Sequence, residues 1–212
     1  MEASNVEASN VQANNVQASS NSENTKKIVQ LGFILFMVTA ITGVILGFVH
    51  EITLGPILQA QERLKNEALA GALPEAKSFS LMEAALESEP LLKEVQKAEQ
   101  DGTLVGYCIT VTPQGYGGLL EVIVGVTAEG RLRAIRILSH SETPGLGAKA
   151  PLPAFSGQFE NKEVETLAVV KASPSSPEQV QAISGATITS NAVTSGVNAA
   201  LRYWKNNLKG GN

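Results

Sequence analysis

A run of small and hydroxyl-bearing residues near the C-terminus, residues 184–190, has the composition of a phosphate site. It stands directly before a stretch with helical spacing, and the start of a helix presents unpaired N–H groups and partial positive charge. Gly185 has no side chain to block close approach and can adopt positive φ. Thr187 offers a hydroxyl where a phosphate would lie. The alternative is that Thr189 or Ser190 simply caps the helix.

Composition excludes several other kinds of site. The formal net charge is −4, and no basic stripe is interleaved with aromatic residues, so nucleic acid is not an expected partner. Cys108 is the only cysteine in the sequence, which excludes a disulfide or a cysteine-based metal site within the chain. The two histidines, His50 and His140, lack metal-ligand spacing. We expect no metal site and no catalytic residue of a conventional kind; redox chemistry would need an organic cofactor or partners.

The N-terminal part predicts a tail followed by a membrane anchor. Residues 1–25 form a decaying five-residue repeat rich in Ala, Ser, Asn and Gln, which predicts a disordered low-complexity tail. Residues 26–50 predict a transmembrane anchor, because the uncharged stretch 28–49 as a helix spans the roughly 30 Å hydrocarbon core. A cleaved signal peptide is the alternative, but its apolar core would be only about 7–15 residues long.

Charges around the anchor predict its orientation. Lys26 and Lys27 precede the span and Glu51 follows it, so the positive-inside tendency puts the N-terminus in the cytoplasm. The remainder of the chain is then expected on the extracytoplasmic side of the cell (cytoplasmic or inner) membrane.

The rest of the sequence predicts an α+β domain. Residues 51–75 are expected to form a helical stalk or the first domain helix, ended by Gly71 and Pro74. Residues 76–206 form the domain, with an antiparallel sheet and packed helices, and residues 207–212 a flexible C-terminus. Strands are predicted at 94–98, 104–112, 119–127, 132–138 and 165–171, with a hairpin turn at Asp101-Gly102. The opposite parity of Arg133 and Arg136 suggests a bulge, and residues 190–204 have helical spacing.

The sequence Ser184-Gly185-Ala186-Thr187, followed by Ile188-Thr189-Ser190-Asn191, resembles the flavinylation motif of the FMN-binding domain. That domain occurs in the G subunit of the Rnf electron transport complex and in the C subunit of the sodium-translocating NADH:quinone reductase. In those families the last threonine of the motif is joined to flavin mononucleotide (FMN) through a phosphoester. The resemblance implies covalent FMN on Thr187, with neighbouring cofactor-binding residues Ser184, Gly185, Ala186 and Thr189.

A second region strengthens the resemblance to the Rnf protein. The run His140-Ser141-Glu142-Thr143-Pro144-Gly145-Leu146-Gly147-Ala148-Lys149 is similar to the loop that the G subunit carries upstream of the attachment site. Gly115-Tyr116-Gly117-Gly118 and the single anchor also fit, so the resemblance covers about residues 26–206. One position departs from the pattern: the family usually has Asp three residues before the serine, where it is thought to help the modifying enzyme, and this chain has Gln181.

The resemblance implies that a second enzyme attaches the flavin. An unactivated threonine is a poor nucleophile and needs a positioned base, yet no His, Asp or Glu lies within several residues of Thr187. The family uses a flavin transferase that takes the FMN moiety from flavin adenine dinucleotide. A covalent link would also keep the cofactor from being lost outside the cytoplasm.

The upstream loop is expected to lie against the flavin ring, with Leu146 on its face and Lys149 offsetting negative charge. The alternative is an ordinary Gly/Pro surface turn with a solvated lysine. Cys108 is expected to be a small core residue and Arg202 to be solvated, while His140 and Tyr116 stay open. The residues of this loop that we expect to bind the cofactor are Thr143, Pro144, Gly145, Leu146, Gly147 and Lys149.

The sequence leaves three functions open. The first is an electron-relay component of an Rnf-type complex, a translocase that couples electron transfer between ferredoxin and NAD to sodium or proton movement, with the other Rnf subunits as partners. The second is the C subunit of the quinone reductase, whose chain is usually longer. The third, of another class, is a membrane-tethered assembly or binding module without cofactor, in which residues 184–187 only cap a helix.

Overall fold

The computed structural model describes the backbone of residues 2–83 and 89–210, and side chains from residue 29 onward within those ranges. The chain divides into two compact units, residues 1–59 and residues 60–212. The first helix, α1, runs from Glu2–Ala72. The predicted tail at residues 1–25 has helical backbone from Glu2, which needs only local hydrogen bonds. Its side chains lie outside the described residues, so the tail's state in solution stays a prediction.

The first unit contains a long apolar helix segment. From Val29 onward it contains a window of mean hydropathy 2.4 with none of its residues buried, which is long and apolar enough to cross a membrane. Threonine hydroxyls in this segment bond within the helix: the Thr42 hydroxyl donates to the Val38 carbonyl over 2.8 Å. A helix that satisfies its own backbone and polar side chains meets the requirement for crossing hydrocarbon.

The second unit is built on a five-stranded antiparallel meander whose spatial order equals its chain order. The strands predicted within the first part of the domain are confirmed, with boundaries shifted by a few residues at most, and a first edge strand was not predicted. The strands are β1 (Ser78–Met82), β2 (Leu92–Gln100), β3 (Thr103–Val111), β4 (Glu121–Thr127) and β5 (Leu132–Ser139).

The predicted hairpin turn lies between β2 and β3. Asp101 and Gly102 have φ values of 52° and 81°. Two consecutive residues with positive φ form the turn that matches the right-handed twist of a hairpin, and Asp-Gly is a favoured pair for it.

The predicted irregularity of β5 is also confirmed. Gly125 pairs with Ala134 and Val126 with Leu132, which leaves Arg133 as an extra residue on β5. A bulge of this kind reverses which face later side chains occupy. Freed from the ladder, Arg133 donates to the Glu75 carboxylate over 2.7 Å.

The remainder of the domain is short helical turns, a parallel strand pair and one long helix. It comprises a 3₁₀ turn Gly147–Lys149, α2 (Pro153–Ser156), a second 3₁₀ turn Gly157–Phe159, β6 (Ala168–Val170), β7 (Gln179–Gln181), α3 (Thr187–Tyr203) and a π-helical turn Trp204–Leu208.

Two predictions in this part need correction. The strand expected at 165–171 has three residues, and it pairs in parallel with β7 instead of joining the antiparallel sheet. The flexible C-terminus expected from residue 207 is wrong for residues 207 and 208, because the helical turn continues to Leu208, whose side chain is buried in the main core. Apolar contact at Leu208 holds a segment whose composition alone favours disorder.

The sheet separates two apolar cores. On β3 and β4 alternate residues face α3, including Ile109 and Val124, and form the main core. The residues of opposite parity, including Cys108 and Ile123, pack with Leu69 from the end of α1 in a smaller cluster. Period-two alternation on both strands explains this division, because successive side chains of a strand point to opposite faces.

Candidate functional site

Helix α3 begins at Thr187 without a side-chain cap. Its N-cap residue is Ala186, and no side chain bonds there to the helix amides. The Ser190 hydroxyl instead accepts from the Ile183 N–H over 2.9 Å and donates to the Ala186 carbonyl over 3.0 Å. Gly185, with φ of 77°, makes the turn that brings the chain into the helix. The helix-cap alternative is therefore wrong for Thr189 and Ser190.

The start of α3 leaves backbone donors available. Its first backbone hydrogen bond runs from the Ser190 N–H to the Ala186 carbonyl over 3.0 Å. The N–H groups of Thr187, Ile188 and Thr189 consequently have no acceptor within the helix. These amides and the helix dipole favour an anion at this end.

The Glu142 carboxylate joins three parts of the site. It is 6% exposed. Its Oε2 accepts from the Thr189 hydroxyl over 2.7 Å, and its Oε1 accepts from the Gly117 N–H over 3.3 Å. Its own backbone N–H donates to Nδ1 of His140 over 3.3 Å. The carboxylate therefore links the loop before β4 and the loop after β5 to the first turn of α3.

Glycines make room for this carboxylate. A Cβ at Gly115 would lie 2.1 Å from Oε1 of Glu142, and a Cβ at Gly147 would lie 2.4 Å from Oε2. A Cβ at Gly117 would lie 2.0 Å from the Ser141 carbonyl oxygen. Any side chain at these three positions would push the loops apart, which explains why all three residues are glycine.

A cleft of about 530 Å³ opens above these groups. That volume lies within the roughly 300–1,000 Å³ of small-molecule sites. Apolar side chains at its mouth are largely solvent-exposed, with Tyr116 at 71%, Ile188 at 56% and Leu146 at 42%. The cleft is lined by Tyr116, Glu142, Thr143, Leu146, Gly147, Gly185, Ala186, Thr187, Ile188 and Thr189.

The structure brings most of the predicted site residues together. The Leu146 and Ala148 N–H groups both donate to the Thr143 carbonyl over 3.2 Å, and Gly145 has φ of 79°, which closes the loop into a tight turn. Predicted residues that line the cleft are Thr143, Leu146, Gly147, Gly185, Ala186, Thr187 and Thr189.

Four predicted residues do not line the cleft. Pro144, Gly145 and Ser184 are exposed in the same two loops but do not line the cleft. Lys149 lines a different cavity, which it shares with Gln158 and others.

Sequence reasoning missed two members of the site, Glu142 and Ile188. An acidic residue between two glycine-rich turns was visible in the sequence, but its burial was not. Tyr116, left open before, lines the cleft.

The remaining candidates have structural roles. Cys108 is fully buried in the smaller core, as predicted, and burial raises the pKa of its thiol from 9.0 to about 12. Arg202 is exposed, as predicted, and forms an ion pair with Glu89 at 2.9 Å. Among the residues whose side chains are described, no group of three His, Cys, Asp or Glu is arranged to hold a metal.

Comparison with known proteins places this site in a family context. A family profile described as the FMN-binding domain matches residues 115–202, which include both loops and most of α3. The chain is 35% identical over 194 residues to the G subunit of the Na⁺-translocating ferredoxin:NAD⁺ oxidoreductase complex of Acetobacterium woodii, and the match covers 85% of this chain and 93% of that protein.

Two further proteins are similar to this chain. The chain is 36% identical to the G subunit of the proton-translocating ferredoxin:NAD⁺ oxidoreductase complex of Clostridium ljungdahlii, covering 76% of this chain and 83% of that one. Among solved structures, the C subunit of the Na⁺-translocating NADH-quinone reductase from Parabacteroides distasonis matches with a TM-score of 0.51 and 26% identity, over 65% of this chain and 80% of that chain.

Proposed function

This chain belongs to the G subunit family of Rnf-type ion-translocating oxidoreductase complexes, and on that premise we propose that it relays electrons through an FMN joined to Thr187 by a phosphoester. The FMN-binding domain and its role as a redox subunit follow from the family. The covalent bond, the ferredoxin-to-NAD coupling and the side of the membrane are our proposal.

The observation that carries the proposal is the position of Thr187. It is the first residue of α3, lines the cleft, and stands beside amides that have no acceptor within the helix. A phosphoester at its hydroxyl would put a negative charge at the positive end of a helix of 17 residues.

The residues present fit an FMN. The cleft combines backbone N–H groups without an acceptor in the helix, at the start of α3 beside Thr187, with an exposed apolar mouth at Tyr116, Leu146 and Ile188. A flavin has the same division, with a polar phosphate tail and a broad aromatic ring. Exposed apolar side chains around a cleft are explained if a ring covers them.

Each loop then has a defined role in binding FMN. The turn of residues 143–147 offers Leu146 for packing and backbone groups for the ring's polar edge. Ser184 and Gly185 shape the approach to Thr187. Lys149 lines the other cavity, so it acts as a nearby positive charge and not as a ring contact. Bound FMN supplies the electron chemistry, while these residues supply position and electrostatics.

Attachment requires a partner enzyme. A flavin transferase would move the FMN moiety of flavin adenine dinucleotide onto the Thr187 oxygen, forming the new phosphoester as the bond to AMP breaks and the hydroxyl proton leaves with AMP. No carboxylate accepts a hydrogen bond from Thr187 among the hydrogen bonds of the described side chains, whereas Thr189 has Glu142. That difference supports an external base for Thr187.

In-gel fluorescence tests the proposal. The full chain is produced with a flavin transferase, separated on a denaturing gel and viewed under ultraviolet light. We expect a fluorescent band that Thr187→Ala abolishes and that Ser195→Ala, which removes an exposed hydroxyl further along α3, leaves intact. A dark wild-type band, with an intact mass lacking the FMN increment, would favour the cofactor-free tethered module.

Membrane sidedness is tested separately. A single-pass membrane protein is in keeping with the long apolar helix found among the described residues. We propose a cytoplasmic N-terminus and an extracytoplasmic flavin domain. In intact cells, an impermeant maleimide should label Ser173→Cys but not Ser20→Cys, and buried Cys108 should not interfere. The reverse labelling pattern would reject this orientation.

The second candidate is the C subunit of the quinone reductase, favoured by the likeness to the Parabacteroides distasonis structure. The identity of the proteins that copurify with the full chain distinguishes the two candidate complexes. We expect the other subunits of an Rnf-type complex, with the ion path in those partners, because residues 28–49 contain no charged side chain.

A further inference from the structure

The Glu142 carboxylate is buried, and among the described side chains it forms no ion pair. Its two oxygens accept one hydrogen bond each from the described side chains and backbone, from Thr189 and Gly117. None of the ten ion pairs formed by described side chains includes it. A carboxylate removed from water is unfavourable unless donors or cations compensate it.

The sequence around Glu142 is adapted to keep it there. Gly115 and Gly147 leave the space that its two oxygens occupy. Thr189 is 1% exposed and donates its hydroxyl to Oε2. An apolar side chain of similar size would fill this position without needing donors, so packing alone does not explain the acid.

We propose that Glu142 is a positioning residue that fixes the Thr187 end of α3 against the two glycine loops, and that its negative charge lowers the midpoint potential of the flavin in this cleft. The inference rests on the proposed function for its flavin and adds a residue that determines the redox property of the site.

The electrostatic argument follows from charge and burial. Glu142 lines the same cleft as Thr187. Adding electrons to a flavin increases negative charge in the cleft, and a buried carboxylate opposes this more strongly than a solvated one, since screening is weak there. The free amides at the start of α3 act in the opposite sense, so the potential reflects the balance between them.

The positioning argument follows from connectivity. Thr189 lies two residues after Thr187, on the first turn of α3. Its bond to Glu142 ties that turn to the loop after β5, while the Gly117 N–H ties the same carboxylate to the loop before β4. Loss of the carboxylate would release all three segments that shape the cleft.

The potential is tested with the full-length flavinylated protein and four variants of it. Glu142→Gln keeps the shape and one acceptor but removes the charge. Thr189→Val removes the donor and keeps the volume, and Thr189→Ser restores the hydroxyl. Glu163→Gln is the charge-matched control, because Glu163 lines a different cavity. Midpoint potentials are measured by dithionite titration against a reference dye at one fixed pH for all variants.

We expect Glu142→Gln to raise the potential, with about a tenfold change in the ratio of reduced to oxidised flavin, or about 30 mV for a two-electron couple. Thr189→Val should lower it, because the carboxylate loses a compensating donor, and Thr189→Ser should match the wild type. A potential in Glu142→Gln equal to that of Glu163→Gln would overturn the inference. If Glu142→Gln does not fold, an unchanged or raised potential in Thr189→Val overturns it.

Positioning has its own readout. Glu142→Ala should lower the fluorescence anisotropy of the attached flavin relative to Glu142→Gln, because the released loops no longer hold the ring. Equal anisotropy in the two variants would overturn this part. A wild-type chain without covalent flavin would instead reject the proposed function, which the in-gel fluorescence reveals before any potential is measured.

Discussion

The Cδ2 methyl of Leu146 lies 2.9 Å from the position that a Cβ would occupy on Gly185. This contact joins the loop after β5 to the turn before α3. Gly185 and Gly145 share nearly the same backbone conformation, with φ of 77° and 79°, but a Cβ on Gly145 would have nothing within 4 Å. The two glycines therefore form a matched pair that separates backbone strain from contact with Leu146.

We expect Gly185→Ala and Gly145→Ala each to lower the free energy of unfolding by about 1–2 kcal/mol, because an L-residue with positive φ is strained. Only Gly185→Ala should displace Leu146 and change the flavin absorption spectrum. Chemical denaturation measures the first effect and visible absorption the second. Adding Leu146→Ala to Gly185→Ala should remove the clash but not the strain. Equal spectra for all variants would show that the Leu146–Gly185 contact does not shape the cleft.

Leu146→Ala alone should shift the flavin midpoint potential or increase the mobility of the ring. The reason is that Leu146 is a half-exposed apolar side chain of the cleft, and its removal admits water to the ring. Leu152→Ala is the control, since Leu152 is similarly exposed but lines another cavity. Redox titration and fluorescence anisotropy measure the change. If Leu146→Ala and Leu152→Ala behave identically, the ring does not pack on Leu146.

A truncated protein of residues 60–212 should fold and stay soluble without detergent, because the second compact unit begins at residue 60. Removing residues up to 75 should destabilise it, since Leu69, Ala72 and Leu73 belong to the smaller core. Circular dichroism and gel filtration report both outcomes.

Within the 60–212 protein, Leu69→Ala should lower the free energy of unfolding by about 2–5 kcal/mol, the range for cavities left by buried leucines. Leu64→Ala, at an exposed site on the same helix, is the control. Equal stabilities would mean that the end of α1 does not contribute to the core.

Cys108 should be unreactive in the folded protein. Burial raises the pKa of its thiol from 9.0 to about 12, so almost no thiolate, the nucleophilic form, exists at neutral pH. The unfolded thiol ionises near pH 9.0, whereas the folded thiol stays protonated until the pH approaches 12. The contribution of Cys108 to stability is therefore constant below pH 9.0 and falls as pH rises toward 12. Ellman's reagent should react only after denaturation; rapid reaction in native buffer would contradict the buried placement.

Prediction from the sequence succeeded where the signal was local. Runs of strand-forming residues between turn signals placed β2 to β5, the Asp101-Gly102 pair identified the hairpin turn, and the parity of Arg133 and Arg136 indicated the bulge. Helical spacing identified α3, although the structure begins it at Thr187, three residues earlier. Each of these features depends on side-chain period or turn chemistry, which neighbouring residues determine.

Prediction failed where partners are distant in sequence. β6 pairs in parallel with β7 across a loop, and three-residue strands carry too little pattern to reveal this. Leu208 was expected in a flexible end and is buried. In both cases the deciding contact is made with residues outside the segment that carried the prediction.

The sequence by itself determined the family motif at residues 184–187, the apolar span and the division of the sheet into two faces, because composition and periodicity are properties of the chain alone. Only the tertiary structure decided that Thr187 and the loop at Leu146 share one cleft, and that Glu142 is buried beneath it with Thr189 as its donor. The physical reason is that burial and hydrogen-bond partnership depend on which distant segments meet. Glu142 and Thr189 are separated by 47 positions in the chain and by 2.7 Å in space.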